Sequence, residues 1–349
     1  MKAPLAPRLL AWFDLHGRHD LPWQRERTAY SVWVSEIMLQ QTQVGTVVPY
    51  YERFMRRFPT VDALARAPLD SVLQLWSGLG YYARARNLHR TALVVVERFG
   101  GTMPSTFDEL LELPGVGRST AGAIAAQAAG ERRAILDGNV KRVLARYHAI
   151  DGWPGEPAVA RELWTRADEH TPAERVADYT QAIMDLGATL CTRARPACTV
   201  CPLADGCAAC RAGAQARYPA ARPKRARPQR HVHVLVVRDP DGRVLLERRP
   251  ASGVWGGLYS LPEIAAGEAA EAWCERQLGA RVSATRPLVT IEHAFTHFDL
   301  DLEPLVLELA AAPIGVMDRD DRVWHDPRAD LAVGVPAPVA ELLRSLEDR

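Results

Sequence analysis

Apolar positions recur at three- and four-residue intervals through 31–44, 45–58, 70–77, 82–99, 106–113, 119–129 and 138–147, the spacing of a buried helical stripe. Pro49, Pro59, Pro68 and Pro104 stand where such helices should start or stop. No convincing strand pattern precedes residue 230, so residues 8–210 predict an all-α region. Beyond it the period becomes two: His231 to Val237 alternates, Asp241-Gly242 supplies a turn and Arg243 to Glu247 follows. Further strands are expected at 282–292 and 295–309, with helices near 266–278 and 336–346, which makes the second part α+β.

A chain of 349 residues is long enough for about two or three domains, each with its own core. Between Arg211 and Arg230 lie seven basic residues, no acidic ones and prolines at 219, 223 and 228, the composition of an extended linker. Charge divides at the same place. Residues 1–230 hold 31 Lys+Arg against 22 Asp+Glu, net +9, and residues 231–349 hold 12 against 20, net −8. A polyanion would therefore meet mainly the first part, unless the excess is only a solvated surface. No stretch approaches the roughly 20 apolar residues that span a bilayer, and the first ten residues lack a secretory apolar run. The expected compartment is the cytoplasm.

Five of the six cysteines fall at 191, 198, 201, 207 and 210. A disulfide framework fits poorly with a chain that nothing marks as secreted. Structural zinc could use Cys198, Cys201, Cys207 and Cys210 as two C-x2-C pairs, although zinc ribbons usually separate their pairs by roughly 15–20 residues. A third reading takes Cys191, Cys198, Cys201 and Cys207 as ligands of one 4Fe-4S cluster, leaving Cys210 over.

The run Leu113-Pro114-Gly115-Val116-Gly117 joins two helical segments, and its glycines let backbone amides and a helix N-terminus converge on a phosphate. Alone it also suits an ordinary helix connection. Asp137 can be read as the N-cap of helix 138–147, a position whose amides would stabilise its anion. Glu36 shares a helical face with Trp33 and Gln40 and adjoins Ile37 and Met38, so it is either peripheral or partly desolvated. Desolvation would raise its pKa toward general-acid duty.

The C-x6-C-x2-C-x5-C spacing, the L-P-G-V-G hairpin and the aspartate 18 residues past Ser119 together resemble the endonuclease III superfamily of helix-hairpin-helix DNA glycosylases. Within it the chain resembles the MutY-type adenine DNA glycosylases through W-V-S-E-I-M-L-Q-Q-T-Q from Trp33, G-L-G-Y-Y-A-R-A-R-N from Gly78, L-P-G-V-G-R-S-T-A-G-A-I from Leu113 and D-G-N-V-K-R-V-L from Asp137. Downstream, W-G-G-L-Y-S-L-P-E from Trp255 and F-T-H-F from Phe295 also match. The resemblance implies a multidomain protein: an all-α glycosylase region over 1–210, with a six-helix barrel part about 22–133 and a cluster part of 1–21 and 134–210. The linker 211–230 and a Nudix-like domain over 231–349 would follow.

The same resemblance implies an enzyme that flips adenine, mispaired with 8-oxoguanine or guanine, out of duplex DNA and cleaves its glycosidic bond. Glu36 would be the general acid and base, Asp137 the stabiliser of the sugar cation and Asn139 an orienting residue. Gln40, Gln41 and Tyr81 match positions that wedge into the duplex or stack beside the oxidised base; the alternative reading makes Tyr81 or Tyr82 a core aromatic. Leu113, Gly115, Val116, Gly117 and Ser119 would lie along the DNA. Phe295, Thr296 and His297 match the family's F-S-H loop with threonine replacing serine.

Superfamily members that also cut the backbone carry lysine where Ser119 stands, so the resemblance implies a monofunctional glycosylase. The chain has only Lys2, Lys141 and Lys224, and of these Lys141 is the sole candidate for residual strand cleavage. Residues 272–279 read A-W-C-E-R-Q-L-G and keep only Glu275 of the Nudix metal-binding glutamates, which argues against nucleotide hydrolysis. Two rival functions are an oxidised-pyrimidine glycosylase and lyase, and a catalytically silent DNA-damage binder. The expected state is a monomer associated with the nucleoid.

Overall fold

The computed structural model describes residues 4–223, 226–265, 267–312 and 321–346. Lys2, Lys224 and position 266 of the expected helix lie outside the described residues. By its contacts the chain divides into one unit of Met1–Arg66 with Asn87–Lys224 and a second of Ala67–Arg86 with Arg225–Arg349.

The first unit is helical, as its period predicts. Helices Ala29–Leu39, Val44–Arg57, Ala83–Phe99, Phe107–Leu111, Arg118–Ala129 and Gly138–His148 fall on the expected segments. Leu5–His16, Val61–Arg66, Pro157–His170 and Val176–Thr189 add to them. Two expectations need correction. Pro49 neither starts nor stops a helix but lies inside Val44–Arg57. The first helix also ends at Leu39 rather than 44, because Gln40 leaves the helical region and Gln41 adopts φ +59°.

Helix Leu5–His16 buries Leu5, Leu9 and Phe13 in one core with Leu136, Val140 and Leu144 and with Tyr179, Ile183 and Leu186. The N-terminus thus closes over the region that begins at Ala134, a chain reversal that no local pattern encodes. The expected linker is folded in its first half. Gln215–Arg217 forms a 3-10 turn, Tyr218 is buried and Arg217 pairs with Asp151 at 2.9 Å.

The second unit is a mixed sheet: β1 (Gln229–Arg238), β2 (Val244–Arg248), β3 (Tyr259–Ser260), β4 (Glu263–Ile264), β5 (Val282–Pro287), β6 (Ile291–Ala294), β7 (Asp299–Leu309) and β8 (Arg322–His325). Its order is β3-β2-β1-β7-β5, with β1 and β7 parallel over ten aligned pairs. Alternation along β1 places Leu235 and Val237 against helix Ala270–Leu278, and Val234 and Val236 in a core with helix Ala337–Arg344. The expected strand 282–292 is two strands. Pro287, which lacks an amide donor, ends β5. The expected strand 295–309 begins only at Asp299, because Phe295 N donates to Phe298 O at 2.9 Å and closes a turn. Helix Leu69–Trp76 belongs to this unit by its contacts, with Gln74 Nε2 donating to Leu331 O at 2.9 Å.

Candidate active site

Two carboxylates reach one cleft from different helices of the first unit. Glu36 comes from Ala29–Leu39, whose start is fixed by Thr28 Oγ1 accepting the Ser31 amide at 3.1 Å. Trp33, Ile37 and Met38 beside it are buried. Asp137 caps Gly138–His148, its Oδ1 accepting the Val140 amide at 2.7 Å. The cleft measures about 960 Å³, and its walls include Glu36, Gln40, Gln41, Ser119, Asp137 and Asn139. Six of the residues singled out from sequence are thereby brought together.

Burial pushes the Glu36 carboxyl up to about 8, the Asp137 charge pushes the same way, and a hydrogen bond from Gln127 Nε2 at 3.4 Å opposes both. Of the two expectations for Glu36, the desolvated one holds. Asp137 needs correction: burial raises its pKa despite the helix amides. Yet the Val140 and Asn139 amides and the Arg142 and Lys141 charges all favour its anion, and Asn139 Nδ2 adds a hydrogen bond at 3.3 Å. Glu36 has one neutral donor to offset its burial. Burial thus raises both carboxyls, and Asp137 has the larger set of groups that favour its anion.

Ser119 stands at the start of Arg118–Ala129, and its Oγ accepts the Leu136 amide at 3.0 Å, one residue before Asp137. A lysine ammonium, having no acceptor, could not hold that amide. Lys141 is absent from the cleft walls, which pass from Asn139 to Arg142.

Sequence reasoning missed the polar side chains of Arg18, Arg142 and Gln181 in the cleft wall. Arg142 Nη2 donates to Asn139 Oδ1 and to Gly187 O, both at 2.7 Å, while its Nε donates to Cys191 O at 2.7 Å. Gly187 permits this approach, since a Cβ there would lie 2.6 Å from Asn139 Cβ. Arg18 and Gln181 both bond Asp185, which is fully buried. Arg142 falls inside the D-G-N-V-K-R-V-L run, three residues past Asn139 on the same helical face, which is the signal that could have found it.

The hairpin lies outside the cleft walls but leads into the helix that carries Ser119. Gly115 has φ +78°, and a Cβ there would lie 2.9 Å from Asn87 Cβ, so no other residue fits without displacement. Leu113 and Val116 are buried, so the hairpin presents main chain rather than those two side chains. Gly117 begins Arg118–Ala129 without a side-chain cap, which leaves the first amides for an anion. Gln41 at φ +59° and Tyr81 at φ +50° are exposed residues in a costly backbone conformation. Tyr82 is the core aromatic, its hydroxyl donating to Val335 O at 3.3 Å.

In the second unit Thr296 and His297 are exposed at the β6–β7 turn. Phe295 is half-buried and stacks on buried Phe298 with ring centroids 4.6 Å apart, so it anchors the turn. Glu275 is exposed on Ala270–Leu278, whose Trp273 and Cys274 face the core.

The loop after Val176–Thr189 gathers the thiols. Arg146, 3% exposed, donates to Cys191 Sγ at 3.3 Å, to Thr192 O at 2.7 Å and to Arg193 O at 3.0 Å. Cys207 Sγ donates to Arg146 O at 3.4 Å. Burial pushes the Cys201 thiol up to about 11, and Cys191, Cys207 and Cys198 lie near enough to push the same way. Among the described residues these thiols do not close on a single ion as a metal-holding group. The four thiols are partly buried, and soft sulfur donors of this kind are the ligand chemistry that iron accepts.

Residues 34–169 match the family described as HhH-GPD superfamily base excision DNA repair protein, and residues 233–345 match the NUDIX domain family. The chain is 34% identical over 339 residues to the adenine DNA glycosylase of Buchnera aphidicola subsp. Acyrthosiphon pisum (strain APS), covering 97% of this chain and 96% of that protein. It is 50% identical over 210 residues to the adenine DNA glycosylase of Homo sapiens, covering 58% of this chain and 38% of the human protein. Among solved structures, a thermostable thymine-DNA glycosylase aligns with a TM-score of 0.54 at 27% identity, covering 59% of this chain and 95% of that one.

Proposed function

The chain belongs to the adenine DNA glycosylase family, and on that premise we propose that it acts on adenine mispaired with 8-oxoguanine or guanine in duplex DNA, and does so without cutting the strand. It is a DNA N-glycosylase of base excision repair. The observation that carries the proposal is the pair Glu36 and Asp137 in one cleft, Glu36 raised by burial and Asp137 held by helix amides, with a serine beside them.

The flipped adenine enters the cleft and Glu36 gives its proton to the ring at N7, so that the base leaves as a neutral molecule. As the bond from base to sugar breaks, positive charge grows on the sugar and the Asp137 carboxylate stabilises it, through space or through a transient bond. Glu36, now ionised, takes a proton from the water that adds to the sugar. Asn139 holds Asp137, and Arg142 holds Asn139. Ser119 offers no amine to attack the sugar, so no Schiff base precedes strand cleavage.

Cys191, Cys198, Cys201 and Cys207 would hold a 4Fe-4S cluster, which supplies a rigid tie to a loop that carries Arg193 and Arg195 toward phosphates. Gln40, Gln41 and the 113–117 hairpin contact the duplex, Tyr81 does so from its own unit, and Phe295, Thr296 and His297 serve the second domain in reading the 8-oxoguanine strand. The enzyme works as a monomer in the cytoplasm, on the nucleoid. Among the described residues no helix is long and apolar enough to cross a membrane.

The test is single-turnover reaction of a duplex with one adenine opposite 8-oxoguanine, read with and without hot alkali, beside Glu36→Gln. Breaks that appear only after alkali, and vanish in the variant, are expected. Breaks without alkali would restore a lyase, and binding without adenine release would leave a silent damage binder.

A further inference from the structure

Helix Arg118–Ala129 reads R-S-T-A-G-A-I-A-A-Q-A-A, and beyond Thr120 its only polar side chain is Gln127. That side chain is 6% exposed. Burying a glutamine takes an amide out of water and freezes several rotatable bonds, costs that an alanine like its neighbours would not incur. The buried amide has a partner: Gln127 Nε2 donates to Glu36 Oε1 at 3.4 Å, across to helix Ala29–Leu39. The bond is long for N–H···O, as bonds to reacting groups often are before substrate binds. A second tie joins the same two helices, Gln40 Nε2 donating to Thr120 Oγ1 at 3.4 Å. Glu36 forms part of the cleft wall and Gln127 does not, so the amide meets the carboxyl from behind.

We propose that Gln127 is a positioning residue, whose amide holds Oε1 of Glu36 and so turns Oε2, with the acid proton, toward the flipped base. This rests on the reading of Glu36 as the general acid. An amide N–H only donates, so the oxygen that it meets must accept. In a carboxylic acid the better acceptor is the carbonyl oxygen, which makes the other oxygen the hydroxyl. Among the described residues the protein offers Oε2 no hydrogen bond, which leaves it for the cleft. Once the proton has gone to the base, the same N–H bonds a carboxylate more strongly and keeps Glu36 aimed at the incoming water. Asp137 is the charged group that acts on Glu36, and it comes from the cap of another helix, Gly138–His148, so a change at position 127 leaves it in place.

The experiment is single-turnover excision of adenine opposite 8-oxoguanine by wild type, Gln127→Met and Gln127→Glu, each followed from about pH 5 to about pH 10 at several enzyme concentrations. Methionine keeps the length and removes the donor. The saturating rate should fall about 3- to 10-fold with half-saturation unchanged, and the alkaline limb should move up by about half to one pH unit, because the ionised carboxyl has lost its donor. Glutamic acid keeps the shape. While both carboxyls are protonated the new one donates to Oε1, so the rate recovers at the acid end. When one proton leaves, the two carboxyls share the other and it no longer faces the base, so the alkaline limb should move down. Looser packing alone would lower the rates and move neither limb. Circular dichroism and urea denaturation of the three proteins separate a folding defect from these changes. Unmoved limbs in both variants, or a Gln127→Met rate equal to wild type, would overturn the proposal. If the wild type releases no adenine, the functional reading fails instead, and carboxyl NMR of protein with isotope-labelled glutamate decides the contact. The Glu36 signal, assigned with Glu36→Gln, should then titrate at higher pH in Gln127→Met than in wild type, and equal titration would refute the contact.

Discussion

Replacing Glu36 by glutamine should make the protein more stable at alkaline pH while removing its chemistry. Glu36 ionises near pH 4.5 in an unfolded chain and near 8 in the fold. Between those values folding must take up a proton, so wild-type stability carries a contribution that falls as pH rises from 4.5 to 8 and is flat beyond. A tenfold change in a protonation equilibrium is about 1.4 kcal/mol, so the ceiling on this cost is about 5 kcal/mol. Residual solvent contact of a half-buried side chain brings the expected figure to about 2–4 kcal/mol. Glutamine keeps the shape and carries no titration. Urea denaturation of both proteins should show a stability difference near zero at about pH 4 that grows in favour of Glu36→Gln to a plateau above about pH 8. Pairwise subtraction cancels the titrating groups that do not interact with Glu36, leaving Asp137 as the one coupled partner named for it. In parallel, wild-type single-turnover excision should decline as pH passes through about 8, and the variant should lose about 100-fold or more. A stability difference that stays flat across this range would refute the claim that Glu36 is held protonated by burial.

Three further substitutions probe the supports of the site. Arg142→Gln removes the donors that join Asn139 to Gly187 O and Cys191 O, and should slow excision by about 10- to 100-fold at saturating enzyme with DNA binding largely kept; an unchanged rate would deny Arg142 a positioning role. Ser119→Ala leaves the buried Leu136 amide without its acceptor, which should cost about 1–3 kcal/mol in denaturant titration and create no strand cleavage. Gly115→Ala combines φ +78° with a contact on Asn87, so duplex affinity should drop for every sequence alike while free Glu36 keeps its titration; a loss confined to adenine mispairs would argue against a phosphate-facing hairpin.

The helical period of the first unit, the switch to period two near residue 230 and the Asp241-Gly242 turn were all legible because each depends on neighbours within a few residues. Asp137 as an N-cap was legible for the same reason. Chemical identity was carried by motif and spacing. Glu36, Asp137, Asn139 and Ser119 could be named from their runs, and the cysteine intervals limited the possible ligand sets.

What the local pattern could not supply was everything that depends on surroundings. That Glu36 is desolvated follows from its packing beside a helix more than 80 residues away in the chain, and that Asp137 is raised rather than lowered follows from burial outweighing its amides. Arg142 gains its place in the site only because the fold brings Gly187 and Cys191 against it. Helix 29–39 stops early, β1 pairs parallel with β7, and the first half of the basic linker folds back under Arg146, none of which has a local signal. Sequence alone thus determined the elements and the reactive groups, since propensity, capping and side-chain chemistry are properties of short segments. The tertiary structure alone decided that both carboxyls share one cleft and are raised by burial, because dielectric and field are set by whatever the fold packs around a group.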